Sequence, residues 1–357
     1  IDSMNRNQQQ GPVRYSSLLL LCALLTLIFY TATPDASSID SGSSHHVYVI
    51  FSPENELHTK IAQKISDDLK LRRPSILVTN ITADEKINTV DSDTDIVIGI
   101  GSEGMKSADT HYPEIKKLFI SSDPNKYKLD KDRNSNDAIL YMTQTYCKQL
   151  RFIRQLNRQW KIISILNSRE KPIDSSQIQQ CADEHDIKIY IVSTAGNANI
   201  TDKIRHALHH SDVLLALPDS NIYNSKTVKN ILLTSYRYRK PVIAFSKNFV
   251  NAGALAAIYS DTENIAMSAS KLIEQHFYSV TPIEPINYPD EFDISINRQV
   301  FRALDITIPD IDTIKSALQQ KETDASGAMR CCLLYTSDAA DDEYKVWLWG
   351  VGVWGSG

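Results

Sequence analysis

Short apolar segments alternate with amphipathic ones from His46 to Pro309. The apolar segments are rich in β-branched residues and bounded by polar turns, which predicts buried strands. The segments between them place apolar residues on one helical face. The predicted strands are Val47–Phe51, Ile76–Val78, Ile96–Ile100, Lys117–Ile120, Ala138–Tyr141, Ile162–Leu166, Ile187–Val192, Val213–Leu217 and Val242–Phe245. Such alternation is typical of doubly wound parallel α/β sheets.

The pattern divides into two α/β halves. A helix predicted over Thr143–Asn157 opens the second half, another is predicted from Tyr223 to Arg239, and a last one over Thr262–Phe277. A chain of 357 residues is long enough for two such domains. The sequence therefore predicts two doubly wound lobes.

The composition of the chain excludes some classes of function but adds little about the fold. The chain is 42% hydrophobic and 23% charged, as in ordinary globular proteins, and its net charge is −5. This charge argues against nucleic acid as the main partner. The sequence contains no G-x-S-x-G, H-E-x-x-H or phosphate-loop motif. We therefore expect no catalytic residues and no enzyme.

The two ends of the chain differ from its middle. Arg14, the apolar run 18–30 and the small polar stretch 31–44 predict a secretory signal and linker, hence export to the periplasm. The run is shorter than the ~20 residues that span a bilayer comfortably, although an uncleaved anchor is the alternative. Residues 323–357 resemble a translated sequencing adapter followed by a Trp/Gly-rich stretch, so we expect a non-native tail there.

Between these ends the chain has two cysteines, Cys147 and Cys181. Both fall on predicted helices that flank the strand Ile162–Leu166. In an oxidising compartment they are able to pair. The alternative, which we favour from sequence, is that both are small buried hydrophobic residues.

Polar residues concentrate where the predicted strands end. The carboxyl ends of parallel strands face a crevice in which ligands bind. Candidate ligand-binding residues there are Ser52, Gly101, Ser102, Ser122, Asp123 and Tyr141 in the first half, and Asn167, Asp219, Ser220 and Ser246 in the second. An Asp in such a cleft holds a ligand ammonium by charge-assisted hydrogen bonds. Asp123 is equally suited to capping the turn at Pro124, and Asp219 to capping the helix that follows it.

The segment Gly99–Gly104 fits G-x-G-x-x-G between a strand and a helix, and Asp123 follows the next strand. These are the ingredients of a dinucleotide site. Its place on the third strand, the negative charge of Glu103 and export all count against that interpretation. One alternative is a tight turn that needs glycine geometry. The interpretation we prefer is that Gly101 and Ser102 offer N–H and hydroxyl groups to a ligand carboxylate.

Three histidines, His206, His209 and His210, have the helical spacing of a metal-binding pair. The sequence pattern shows no acidic or thiol residue near them that could act as a further metal ligand. We favour a solvated helix face and expect neither a metal nor a cofactor.

Several short motifs occur together in one order. They are F-I-S-S-D-P at 119–124, L-P-D-S at 217–220, K-P-V-I-A-F-S at 240–246, N-A-G-A-L-A-A-I-Y-S at 251–260 and A-L-D-I-T-I-P at 303–309. In order and spacing they resemble the substrate-binding proteins of ABC transporters with the type I periplasmic-binding fold and amino-acid-like ligands. The resemblance covers roughly residues 46–309.

The resemblance implies two lobes joined by three crossovers that hinge around a ligand. It places 45–142 plus about 261–280 in the first lobe, and 143–260 plus about 281–310 in the second. It implies a monomeric protein that captures a small amino-acid-like or carboxylate ligand and delivers it to an ABC permease. The alternatives are a sensory or orphan ligand-binding module, or a nucleotide-dependent enzyme. Where the family tends to have T-G-V-T-D, this chain has 138–142 with Tyr141, which predicts a more apolar pocket wall.

Overall fold

Two six-stranded sheets, each flanked by helices, form the fold, and this confirms the predicted α/β class with two lobes. The structure, a computed structural model, describes residues 45–86, 90–91, 94–122, 137–169, 173, 175–194 and 199–319. The predicted signal or anchor and the expected tail at 323–357 lie outside these residues. Within the part of the chain that is described, no helix has both the length and the apolar composition to cross a membrane.

The first sheet has the strand order β11-β5-β4-β3-β1-β2, and all its neighbours are parallel. Strands β1, β3, β4 and β5 are buried along nearly their whole length, which explains why they appear in the sequence as continuous apolar runs. The strands are β1 His46–Phe51, β2 Leu77–Thr82, β3 Asp95–Ile100, β4 Lys117–Ser121, β5 Ala138–Tyr141 and β11 Ile286–Asn287. The helices of this lobe are α1 Glu56–Arg72, α2 Gly101–His111 and α8 Thr262–Tyr278.

The second sheet has the order β12-β10-β9-β8-β6-β7 and is parallel except for β12, which pairs antiparallel with β10. Its strands are β6 Ile162–Asn167, β7 Lys188–Ser193, β8 Val213–Leu215, β9 Val242–Ala244, β10 Ala256–Tyr259 and β12 Asp293–Ile296. Its helices are α3 Tyr146–Leu156, α4 Ser175–Asp183, α5 Ile200–His209, α6 Val228–Arg237, α7 Lys247–Asn251, α9 Arg298–Ala303 and α10, residues 311–319.

Two helices begin later than the apolar pattern predicts, and side-chain hydrogen bonds explain both differences. Helix α3 starts after Thr145, whose hydroxyl accepts from the Lys148 N–H. The helix predicted from Tyr223 begins only at Val228. The preceding residues form turns in which the Thr227 hydroxyl donates to the Ile222 carbonyl. Hydroxyls that bond to nearby backbone groups compete with helix formation and favour such turns.

Three crossings join the lobes, at residues 142–145, 260–261 and 288–292. The first lies between β5 and α3, and the second between β10 and α8. The third lies later than the expected boundary at residue 281, because β11 pairs with β5 and so belongs to the first sheet. Helix α10 also extends the second lobe beyond residue 310. Ile314 and Leu318 pack into its core, and Arg151 donates to the Leu318 carbonyl.

Cys147 and Cys181 form a disulfide between α3 and α4, with their Cα atoms 4.9 Å apart. The interpretation we favoured from sequence, two unpaired buried hydrophobic residues, is therefore wrong. Sequence spacing does not encode the approach of two helices that lie beside the same strand. The disulfide links helices whose apolar faces already share the core of the second lobe.

Candidate ligand-binding cleft

Each sheet has one point at which the chain reverses its direction of winding. In the first sheet β1 lies between β2 and β3, and in the second sheet β6 lies between β7 and β8. Doubly wound sheets bind ligands in the crevice outside the strand ends at such switch points. Six predicted site residues follow these strands: Ser52 after β1, Gly101 and Ser102 after β3, Asn167 at the end of β6, and Asp219 and Ser220 beyond β8.

A cavity of about 580 Å³ opens at the switch point of the first sheet. Ser52 and Ser102, both predicted site residues, line it together. Its other lining residues are Glu54, Asn55, Glu56, Leu57, His58 and Glu103. Ser102 and Glu103 are exposed in the first turn of α2, whereas Ser52 is buried. The cavity thus combines hydroxyls, carboxylates and an imidazole at the end of one sheet.

The amino end of α2 supplies backbone donors to this wall. The first N–H groups of a helix have no partners inside the helix, and they attract negative charge. The N-cap of α2 is Ile100, and no side chain among the described residues caps it. Gly101 is the first helical residue and has a φ of +69°, a conformation that favours glycine.

Close packing accounts for the three glycines of the G-x-G-x-x-G segment. A Cβ on Gly104 would lie 2.3 Å from the Ile50 carbonyl oxygen, and a Cβ on Gly99 would lie 2.8 Å from the Met105 Cα. Helix α2 therefore approaches β1 and β3 more closely than any side chain permits. The positive φ of Gly101 agrees with the tight turn that the sequence offered as one alternative, and the close helix–strand contact is a further reason for the glycines.

His58 is one of the cavity residues that the sequence analysis did not single out. Its ring covers Gly101, where a Cβ would lie 2.0 Å from the His58 Cε1. Burial lowers the pKa of His58, and the negative charge of Glu103 opposes that effect. Its Nδ1 is buried without a hydrogen-bond partner among the described residues. The usable sequence signal was its place in the first turn of the helix that follows Ser52.

A groove of about 530 Å³ extends the cavity along the outer face of α2. It shares Ser52, Glu54 and Glu103 with the cavity and continues past Lys106 to His111. The wall of the first lobe therefore carries more carboxylates than cations. This composition favours a ligand with an ammonium or several hydroxyl groups, because charge-assisted bonds to carboxylates are strong.

The predicted residues of the second lobe already serve the turns in which they lie. The Asn167 Oδ1 accepts from the Ile173 N–H at 3.2 Å. Asp219 is buried, and its Oδ1 accepts from the Asn221 N–H at 2.9 Å, so it caps a turn and not the helix α6. The Ser246 hydroxyl caps α7 by accepting from the Phe249 N–H at 3.3 Å.

Tyr223 lies beside this wall and was not predicted as a site residue. Its hydroxyl is buried and has no hydrogen-bond partner among the described residues. Burial raises the pKa of Tyr223, and the charge of Asp219 adds to this effect. Phe245 and Phe249 pack against the ring at centroid distances of 6.0 and 5.8 Å. The three rings lie in or against the buried core of the second lobe, next to the Asp219 carboxylate.

The remaining predicted residues are Ser122, Ser220, Tyr141 and Asp123. Ser122 is exposed after β4, and Ser220 is exposed in the turn after Asp219. Tyr141 ends β5 and is buried, with its ring 5.2 Å from that of Tyr288. Asp123 lies outside the described residues. None of the described residues of the second lobe lines either of the two cavities.

The three spaced histidines lie on an exposed helix face. The His206 Nε2 is 2.7 Å from the Tyr190 hydroxyl, and the His210 Nδ1 is 2.9 Å from the His206 carbonyl oxygen. Within the described part of the chain, no cluster of three or more His, Cys, Asp or Glu residues is arranged to hold a metal ion.

The family follows from the sequence itself. Residues 71–321 match the sequence profile of the family described as ABC transporter substrate binding protein. The chain belongs to this family. The resemblance inferred from the motifs is thus confirmed, and the match includes strands of both sheets but not β1. No curated protein matches the chain.

Solved structures show the same fold at low sequence identity. A ligand-free, open substrate-binding protein with adhesive properties from Clostridium difficile has a TM-score of 0.55 and 17% identity, covering 74% of this chain and 96% of its own. An ABC domain from Streptococcus pneumoniae in complex with L-Trp has a TM-score of 0.52 at 17% identity, with the same coverage. A conserved domain protein from Vibrio cholerae has a TM-score of 0.52 at 18% identity, covering 76% and 98%. The neighbours share the two-lobe, type I periplasmic-binding architecture.

Membership of the family carries a general function. Its proteins bind solutes for ABC transporters outside the cytoplasm, which implies a small-molecule ligand and an ABC permease as partners. The family is one of substrate-binding proteins. A solute-binding role is therefore the function that this chain shares with its family.

Proposed function

We propose that this protein captures a small amino-acid-like ligand between its two lobes and delivers it to an ABC permease. A signal in the first 44 residues exports the chain to the periplasm, where it acts as a monomer. The observation that carries the ligand class is the wall of the first-lobe cavity. There the uncapped amino end of α2 adjoins Glu103 and two further carboxylates.

The backbone N–H groups and the carboxylates of this wall suit the two opposite charges of a zwitterion. Backbone N–H groups at a helix amino end, here at Gly101 and Ser102, bind a carboxylate. Carboxylates bind an ammonium through charge-assisted hydrogen bonds. On closure, Asp219 and Ser246 complete the site from the second lobe. The L-Trp held by the Streptococcus pneumoniae protein is a zwitterionic ligand of this kind.

A thermal-shift assay with the twenty L-amino acids tests the ligand class, because a ligand that binds only the folded state raises its melting temperature. Each amino acid that binds is compared with its decarboxylated amine and its deaminated acid. We expect the zwitterion to stabilise the protein and each half-molecule to do so far less. Equal shifts for the acid alone would remove the ammonium from the proposal, and no shift for any amino acid would reject the ligand class.

Asp219→Asn tests the contribution of the second lobe. Asn caps turns about as well as Asp, so the fold should be unchanged. A hydrogen bond to a charged group contributes roughly 1.5–3 kcal/mol, so affinity for the ligand found in the thermal-shift assay should fall about ten- to a hundredfold. Calorimetric titration measures this fall. Wild-type affinity in the folded variant would leave Asp219 as a turn cap only.

A further inference from the structure

The three crossings meet at one buried side-chain amide, that of Gln144. Gln144 lies in the first crossing and is 3% exposed. Its Nε2 donates to the Ser260 Oγ at 2.6 Å and to the Pro289 carbonyl oxygen at 3.3 Å. Ser260 belongs to the second crossing and Pro289 to the third. A single side chain therefore bonds to both of the other crossings.

The chemistry of the partners fixes the orientation of this amide. A carbonyl oxygen only accepts, so Pro289 requires the NH₂ side of Gln144. The Ser260 hydroxyl donates to the Glu291 carbonyl oxygen at 2.8 Å, and it therefore accepts from Gln144. Both hydrogens of the Gln144 amide are then used. Its Oε1 is left buried with no hydrogen-bond partner among the described residues.

We propose that Gln144 is the positioning residue of the hinge and sets the equilibrium between arrangements of the two lobes. Its two bonds oblige the three crossings to twist together, since twisting one alone breaks the network. A buried carbonyl without a partner is costly, so any arrangement of the lobes that brings a donor to Oε1 is favoured relative to this one. The proposal rests on the two-lobe fold and is independent of the identity of the ligand.

Gln149 offers a matched control. It is also buried, at 6% exposure, and its Nε2 donates to the Gln144 backbone carbonyl at 2.8 Å. That bond connects α3 to the first crossing, which directly precedes it in the chain, and it reaches neither of the other two crossings. Gln149→Leu therefore removes a buried amide of the same type without breaking a link between crossings.

Hydrogen–deuterium exchange of the full chain without ligand tests the link. In Gln144→Leu we expect peptides that cover 258–262 and 286–293 to exchange about tenfold faster than in wild type, because two hydrogen bonds to those crossings are lost. Small-angle scattering should show a changed radius of gyration. Gln149→Leu should leave both peptides and the radius of gyration unchanged. Faster exchange in both variants alike would indicate general destabilisation and overturn the proposal.

Variants of Ser260 test the same link between the crossings from the second crossing. They also provide the test if Gln144→Leu does not fold. Ser260→Ala removes the bridge to Gln144 and Glu291, and it should accelerate exchange in the same peptides. Ser260→Thr keeps the hydroxyl and should restore wild-type exchange. The proposal is rejected if Thr is as disruptive as Ala, or if the folded Ala variant exchanges as wild type does.

Discussion

The contact between His58 and Gly101 provides the sharpest test of the candidate cleft. Gly101→Ala places a methyl group on a backbone with φ of +69° and 2.0 Å from the His58 Cε1. Both ring nitrogens lie 2.7 Å from the same point, so the imidazole has to move away. The substitution therefore disturbs the cavity wall at the amino end of α2.

Gly101→Ala should lower the free energy of unfolding for two independent reasons. An L-residue other than glycine in the left-handed region costs roughly 1–2 kcal/mol. Overpacking against the His58 ring costs about 1–3 kcal/mol more. We therefore expect Gly101→Ala to lower the free energy of unfolding by roughly 2–5 kcal/mol. In a His58→Ala background only the backbone cost remains, so the coupling between the two changes should be about 1–3 kcal/mol.

Urea unfolding followed by circular dichroism measures this double-mutant cycle. Gly253 is the matched control, because it also has a positive φ, of +123°, but a Cβ there would lie 3.8 Å from the nearest atom, the Leu232 Cδ1. Gly253→Ala should cost the same in wild type and in His58→Ala. The reasoning is refuted if Gly101→Ala is also equally costly in both backgrounds, since the ring would then not cover the glycine.

Two further predictions concern the second lobe and the end of α8. The Cys147–Cys181 disulfide closes a loop of 34 residues. Its reduction, or replacement of both residues by serine, should therefore cost about 3–4 kcal/mol in denaturant unfolding; unchanged stability would contradict the chain-entropy argument. Burial first, then the charges of Lys116 and His45, lower the pKa of His276 to about 4. The unfolded state binds the proton more readily, so stability should fall as pH drops from about 6.5 towards 4. His276→Gln should reduce that slope, and an unchanged slope would assign it to other groups.

Local pattern predicted most of the secondary structure and the fold class. Buried parallel strands such as β3 and β4 appear as continuous apolar runs because both faces of the sheet are covered. The candidate strand ends followed from the same pattern, since parallel strands present their carboxyl ends together. Ser52 and Ser102 do line one cavity. Boundaries were less predictable where a side chain such as Thr227 competes with the helix.

By itself, the sequence determined the two α/β halves, the family and the polar strand ends, because these depend on local patterns and on the order of short motifs along the chain. Only the tertiary structure decided the pairing of β11 with β5, the disulfide, the covering of Gly101 by His58 and the meeting of the crossings at Gln144. These contacts join segments far apart in sequence. The residues in each contact become neighbours only when whole helices and strands pack together. The local periodicity of the sequence does not predict which elements will pack against each other.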